Sequence, residues 1–249
     1  MRLTKNNGLY QLTFMMPNFF PVSCYFVEEE DGLTLIDTAL PYSVKGIMNT
    51  AAQIGKPITR IVLTHAHNDH IGALDGLKSM LPDSQVYISE RDAKLLKGDA
   101  TLEPQEHQTP IKGRVPKPGK IMTKPDVLLR DDDRIGSLAA FSSPGHTPGS
   151  MSFLDKRSGA LIAGDAFQSK GGLAVSGRMK LLFPFPAMAT WSKETSVSSA
   201  RKLLELNPTL LAVGHGPMLE RPQQAIAHVI ADAEKALRGS AGKGSRSHA

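Results

Sequence analysis

The sequence predicts an α/β fold in which two mixed sheets are flanked by helices. Three observations carry that expectation: short strand-like runs open the chain, strand-then-helix pairs follow, and a second set of strand runs leads into two further helices. Strands therefore open and close both halves of the chain, which argues against one parallel doubly wound sheet. No internal repeat survives counting. A chain of 249 residues, 41% of them apolar, suits a single core of this class.

The elements follow in order. "LYQLTF" (9–14), "SCYFVEE" (23–29) and "GLTLIDT" (32–38) read as strands separated by polar or proline-containing turns, giving an antiparallel opening. "PYSVKGIMNTAAQIG" (41–55) starts with proline, ends at glycine and spaces Val44, Ile47, Met48 and Ala51 by three and four, the pattern of a helix. "ITRIVLT" (58–64) is a buried-type strand, and Ile71, Leu74, Leu77 and Leu81 then repeat along one helical face. "QVYIS" (85–89) and "ERDAKLLKG" (90–98) repeat the strand-then-helix theme. Residues 99–124 hold four prolines and no period, and a loop of that length in a compact domain is usually functional or mobile.

In the second half, 126–146 reads as two short strands running into a turn, and 150–165 as a hairpin turning near Arg157 to Gly159. Residues 166–189 are irregular. A helix is expected over 191–207, a strand and turn over 209–216, and a last helix over 223–239. The expected organisation is one domain over 1–238 followed by a flexible basic tail, 239–249, rich in glycine and serine.

The strand at 58–64 runs into "THAHNDHIGALDGL", which sets His65, His67, Asp69 and His70 in a single turn. A packed core cannot absorb so many polar groups without partners, and a cation supplies them. His146 in "FSSPGHTPGS", Asp165 in "LIAGDAF" and His215 in "LLAVGHG" likewise follow strand-like runs. Nitrogen and carboxylate donors without thiolate suit zinc, with manganese or iron as alternatives. Seven ligands exceed one tetrahedral ion, whereas two divalent ions sharing a carboxylate and a hydroxide would use them all.

These residues resemble the metallo-β-lactamase superfamily. Its "HxHxDH" hallmark is matched at His65 to His70, and its later landmarks are matched in order by His146 in "PGHTPGS", Asp165 in "GDAF" and His215 in "GHG". The resemblance spans roughly residues 9 to 220 and implies a four-layer αββα sandwich with the site along one sheet edge. It implies His65, His67 and His146 on a first metal, Asp69, His70 and His215 on a second, and Asp165 between them. It also implies that Asp69 is catalytic, relaying a proton to the leaving group, and that Asp37 stands behind the metal loops. Asp37, Thr64 and Thr147 read equally well as turn residues.

The implied reaction is hydrolysis, with a metal-bridging hydroxide attacking a lactone or carboxylic ester carbonyl. Thioester hydrolysis is the alternative, followed by β-lactam hydrolysis, a nuclease and a mononuclear iron dioxygenase. Neither "GxSxG" nor a Cys/His signature supports a covalent nucleophile. Acyl-homoserine-lactone hydrolases share the ligand set, but their tyrosine three residues beyond the bridging aspartate is Gln168 here.

The expected partner is a small-molecule substrate, one bearing an acyl chain if the clusters "FMMPNFFP" (14–21) and "LLFPFPAMATW" (181–191) wall the pocket, with Arg178, Lys180 and Lys170 as candidates for meeting an anion. A net charge of +5 is broken by acidic runs at 28–31 and 130–134, so no nucleic-acid face is expected. No stretch reads as a membrane span or signal peptide, and one cysteine fits a reducing compartment, so a cytoplasmic monomer or homodimer is expected.

Overall fold

A computed structural model describes residues 1–6, 8–15 and 20–244. A seven-stranded sheet is formed by β1 (Arg2–Asn6), β2 (Leu9–Phe14), β3 (Val22–Glu28), β4 (Leu33–Ile36), β5 (Ile58–Val62), β6 (Gln85–Ser89) and β7 (Val127–Leu129), in that spatial order. The pairing is antiparallel from β1 to β4 and parallel from β4 to β7. A six-stranded sheet holds β8 (Arg134–Ile135), β9 (Leu138–Ser142), β10 (Met151–Asp155), β11 (Ala160–Ile162), β14 (Leu210–Ala212) and β15 (Leu219–Glu220), ordered β15-β14-β11-β10-β9-β8. A separate small hairpin pairs β12 (Phe167–Gln168) with β13 (Ala174–Val175).

Both faces of both sheets are covered, and the two-residue period of the strands shows it. In β3, Cys24 and Phe26 face a core shared with α1 (Val44–Ile54), α3 (Leu74–Met80) and α4 (Asp92–Leu96), while Tyr25 and Val27 face the second sheet. In β14, Leu210 and Ala212 meet that same inter-sheet core, and Leu211 turns outward to α6 (Lys193–Glu205) and α7 (Gln223–Gly244). The result is the four-layer αββα arrangement. Cys24 is fully buried, and burial pushes its thiol well up, so it serves as a small core residue.

Several elements differ from expectation. β1 went unread because its side chains are mostly exposed and, apart from Leu3, polar, so it carries no buried face to signal. Residues 126–146 make three strands rather than two. Residues 166–189 contain the β12–β13 hairpin and the one-turn helix α5 (Phe185–Ala189). The helix expected over 71–81 starts later, as α3, and a separate short helix, α2 (Asn68–Ile71), precedes it in the histidine turn. The last helix runs past residue 239 to Gly244, so the first part of the expected tail is helical, and 245–249 lie outside the described residues. Among the described residues, no helix is long and apolar enough to cross a membrane.

Strand direction gathers the chemistry. β9 and β11 each run antiparallel to β10, and β14 runs parallel to β11, so β9, β11 and β14 point the same way. Their C-terminal ends, leading to His146, Asp165 and His215, share one edge. Backbone bonds from Met151 N to Thr64 O (2.8 Å) and from Ser23 N to Gly214 O (2.9 Å) join that edge to the other sheet, where β5 ends at the His65 turn.

Candidate metal centre

The seven residues named from sequence converge. Donor atoms of His65, His67 and His146 form one compact group, those of Asp69, His70 and His215 another, and those of His65, His70 and Asp165 a third between them. All are buried except Asp69, which is half-buried and opens to a cavity. Asp165 Oδ2 lies 3.1 Å from His215 Nε2 and 3.3 Å from His146 Nε2, and its Oδ1 lies 3.5 Å from His70 Nε2. Asp69 Oδ2 is 3.5 Å from His215 Nε2.

Each imidazole has one nitrogen fixed by an oxygen on its outer side. His67 Nε2 donates to Lys112 O (2.9 Å), His215 Nδ1 to Pro21 O (2.7 Å) and His70 Nδ1 to Asp37 Oδ2 (2.7 Å). The other two are settled by relays. Thr64 Oγ1 donates to Asp37 Oδ2 (2.7 Å) and so accepts from His65 Nδ1 (3.0 Å). Thr190 Oγ1 donates to Pro186 O (2.7 Å), which directs the Ser176 hydroxyl onto Thr190 and leaves Ser176 Oγ to accept from His146 Nδ1 (2.9 Å). With their protons held outward, all five rings turn a bare nitrogen inward.

Those bare nitrogens need positive charge between them. His67 Nδ1 and His146 Nε2 stand 3.0 Å apart with both lone pairs facing. Among the described residues, buried His65 Nε2, His70 Nε2 and Asp165 Oδ1 have no hydrogen-bond partner. Donors bound tetrahedrally at about 2.0–2.1 Å from a cation lie about 3.4 Å apart, close to the 3.0–3.5 Å spacings here. Outward hydrogen bonds to carboxylates and carbonyls are also the usual way ligating histidines are oriented. The residues therefore fit divalent cations.

The electrostatics agree. Burial lowers His65 well below the ordinary histidine value and takes His146 down to about 3. For His70, burial alone would lower the value, but Asp165 and Asp37 outweigh it and raise it well above normal. For Asp165, burial is overcome by His215 and His70, which hold the carboxyl well below its usual range. The low values keep lone pairs on His65 and His146, while the acids around His70 and His215 draw positive charge to those two rings.

Asp37 is both things the sequence allowed. It sits at φ 59°, a left-handed conformation that aspartate tolerates better than most residues, and it accepts from Thr64 N, Thr64 Oγ1 and His70 Nδ1. Thr64 orients His65, whereas Thr147 does not touch the His146 ring and donates to Asp92 instead. Sequence reasoning missed Asp92. Its buried carboxylate accepts from Ala66 N (3.0 Å), Thr147 Oγ1 (2.8 Å) and Gly149 N (2.8 Å), tying the His65–His70 turn to the His146 turn.

Two glycines are required by close approach. A Cβ on Gly214 would fall 2.1 Å from Asp165 Oδ1. A Cβ on Gly113, at φ +87°, would fall 2.3 Å from His67 Nε2. Gly113→Ala is expected to displace His67 and lower metal content and turnover about 10- to 100-fold. Gly119, at φ +73° with open space around it, supplies the control. Equal metal content in the two alanine variants, by elemental analysis, would refute the clamp.

Above the centre lies a cavity of about 570 Å³, with Phe20, Leu40, Ile71, Ile121, Phe185 and Ala189 among its lining. The expected wall is only partly as anticipated: Leu181 and Leu182 are exposed to solvent, Phe183 is buried behind Phe20 and Phe185, and Met16 to Phe19 lie outside the described residues. Arg178, Lys180 and Lys170 do not line it; Arg114 and Lys120 do. Gln168 is buried and donates to Phe183 O and Lys170 O, holding the loop rather than facing the cavity.

Three comparisons bear on this arrangement. Residues 17–215 match the sequence profile of the metallo-beta-lactamase superfamily. The chain is 55% identical to the uncharacterized protein YobT of Bacillus subtilis (strain 168), over 94% of this chain and 100% of that one. It is 31% identical to the probable metallo-hydrolase YflN of the same organism, over 84% of each. Among solved structures it resembles TTHA1623, determined in a di-iron-bound form, with a TM-score of 0.63 and 27% identity over 86% of this chain and 96% of the other. Because the match takes in every strand that delivers a residue to the centre, the chain belongs to the metallo-beta-lactamase superfamily.

Proposed function

We propose that the protein is a dinuclear metal-dependent hydrolase of lactones or carboxylic esters carrying an acyl chain. His65, His67 and His146 hold one divalent cation and Asp69, His70 and His215 the other, with Asp165 between; zinc suits this donor set best. The observation that carries the reading is the facing pair of bare nitrogens on His67 and His146 beneath a largely apolar cavity. A relative named as a probable metallo-hydrolase supports it, as does a fold neighbour bearing two irons.

When bound, such cations bring the pKa of water from 15.7 to about 7 and polarise an acyl oxygen. The chain's own residues do the rest. Of the two carboxylates that line the cavity, Asp69 is half-buried and Asp165 fully buried, and His70 and His215 outweigh the burial of Asp69 to hold it ionised. Its free oxygen takes the proton from the attacking water and returns it to the leaving oxygen. Asp37 and the Ser176–Thr190 pair fix the rings, and the apolar walls exclude bulk water.

The decisive experiment is a panel of lactones, esters, thioesters and β-lactams offered to metal-quantified enzyme. Turnover of the first two classes is expected to exceed the others, and turnover confined to thioesters or β-lactams would replace the reading. Phe185, at the cavity wall, extends the test. Phe185→Ala is expected to raise KM for long-chain esters about tenfold more than for short ones, since roughly two methylenes lose contact at about 0.8 kcal/mol each. Equal changes for both chain lengths would remove the acyl chain from that wall.

A further inference from the structure

The cavity has two unlike sides. Phe20, Leu40, Ile71 and Phe185 offer apolar surface, whereas Arg114 and Lys120 bring two cations from the 99–124 loop. Both basic side chains are exposed to solvent. Among the described residues, neither head group has a hydrogen-bond or ion-pair partner. Lys120 helps hold the Asp75 carboxyl low, and the Asp75 oxygens already accept from Met122 N, Thr123 N and Thr123 Oγ1.

Arg114 differs from an ordinary loop arginine in how its backbone is held. Its carbonyl accepts from Asn68 N (2.8 Å), inside the metal-binding turn. The two residues before it are pinned on His67, Lys112 by its carbonyl and Gly113 by contact. Ile111, Val115 and Ile121 pack on the first-sheet core, so the loop is anchored on either side of it. A guanidinium on so fixed a stem loses little freedom when it meets a ligand, and its planar fork suits carboxylate and phosphate.

We infer that Arg114 and Lys120 form the binding site for an anionic group, a carboxylate or a phosphate monoester, at the far end of the acyl substrate. The inference rests on the acyl-hydrolase reading and narrows it to amphipathic anions: an apolar chain along the Phe20–Phe185 wall, a scissile carbonyl over the centre, and a negative group at the mouth. The acids lining the cavity are Asp69 and Asp165, both members of the metal set, so no further acid among its lining residues competes for the anion.

The test compares ligands sharing one end and differing at the other. Dodecanoate and dodecanedioate offer the same carboxylate to the metal-loaded protein, and only the second carries an anion to the mouth. By titration calorimetry at low ionic strength, dodecanedioate is expected to bind about tenfold more tightly, the scale of one charge-assisted hydrogen bond. In Arg114→Ala/Lys120→Ala that ratio is expected to fall to about one, with Arg114→Lys in between. The ω-phosphorylated fatty acid of the same length is the second arm, and the larger ratio identifies the anion. A ratio near one in the wild type, or one that survives the double substitution in both arms, overturns the inference. Because binding needs no turnover, failure of the ester panel would remove the acyl-hydrolase reading and leave this result to stand or fall by itself.

Discussion

Asp165→Ala is expected to retain at most one divalent cation per chain and to lose more than about a hundredfold in turnover, beyond the cost of disturbing a residue that merely orients a ligand. Asp165 is the carboxylate placed between the two sets of imidazoles, within 3.1–3.5 Å of His70, His146 and His215. Without it, facing nitrogen lone pairs keep no shared anion, and two cations would repel across the gap. Asp165→Asn keeps the shape but not the charge and should also fall to one cation. Elemental analysis of purified protein alongside turnover checks both. Two cations per chain with wild-type rates in the alanine variant would remove Asp165 from the bridging position.

Asp92→Ala is expected to be nearly as severe, by another route. Asp92 touches no inward-facing nitrogen, yet it answers three donors from two loops. Its removal leaves Ala66 N, Thr147 Oγ1 and Gly149 N buried without their acceptor, at about 1–3 kcal/mol each. With partial relaxation, roughly 3–5 kcal/mol of stability should go, lowering the melting temperature by about 10 °C in a domain of this size. The His65–His70 turn and the His146 turn would then drift apart. Metal content should fall in protein that is still folded at 20 °C or so below its midpoint. Asp92→Asn, which restores an acceptor but sets an amide N–H against one donor, should lie between. Full metal occupancy in a thermally destabilised alanine variant would show Asp92 to be structural alone.

The contrast between those aspartates marks what the sequence makes legible. His65, His67, Asp69 and His70 announce themselves because one turn concentrates them, and His146, Asp165 and His215 stand out because each follows an apolar run and sits among turn formers. Asp92 sits in "ERDAKLLKG" with no local oddity, and its partners are 26 to 57 residues away. Only the fold brings them together. The strands of the inner layers were readable because both faces are buried, while β1 and the two-residue strands β8, β12, β13 and β15 carry too little apolar pattern to register. The 99–124 loop was legible as a long irregular connection from its length and prolines, and the fold lays part of it along the cavity. Arg114 and Lys120 within it were not, since nothing local distinguishes an arginine over a cavity from one in solvent.

The common direction of β9, β11 and β14 carries one more consequence. Three of the centre's side chains hang from the second sheet and four from the first, and the chain has one cysteine, so no disulfide can fasten the layers to each other. Cations held as proposed would act as that fastener, bridging segments up to 150 residues apart (His65 to His215) at the rim where the layers meet. Chelation should then loosen the whole sandwich cooperatively instead of fraying a single loop.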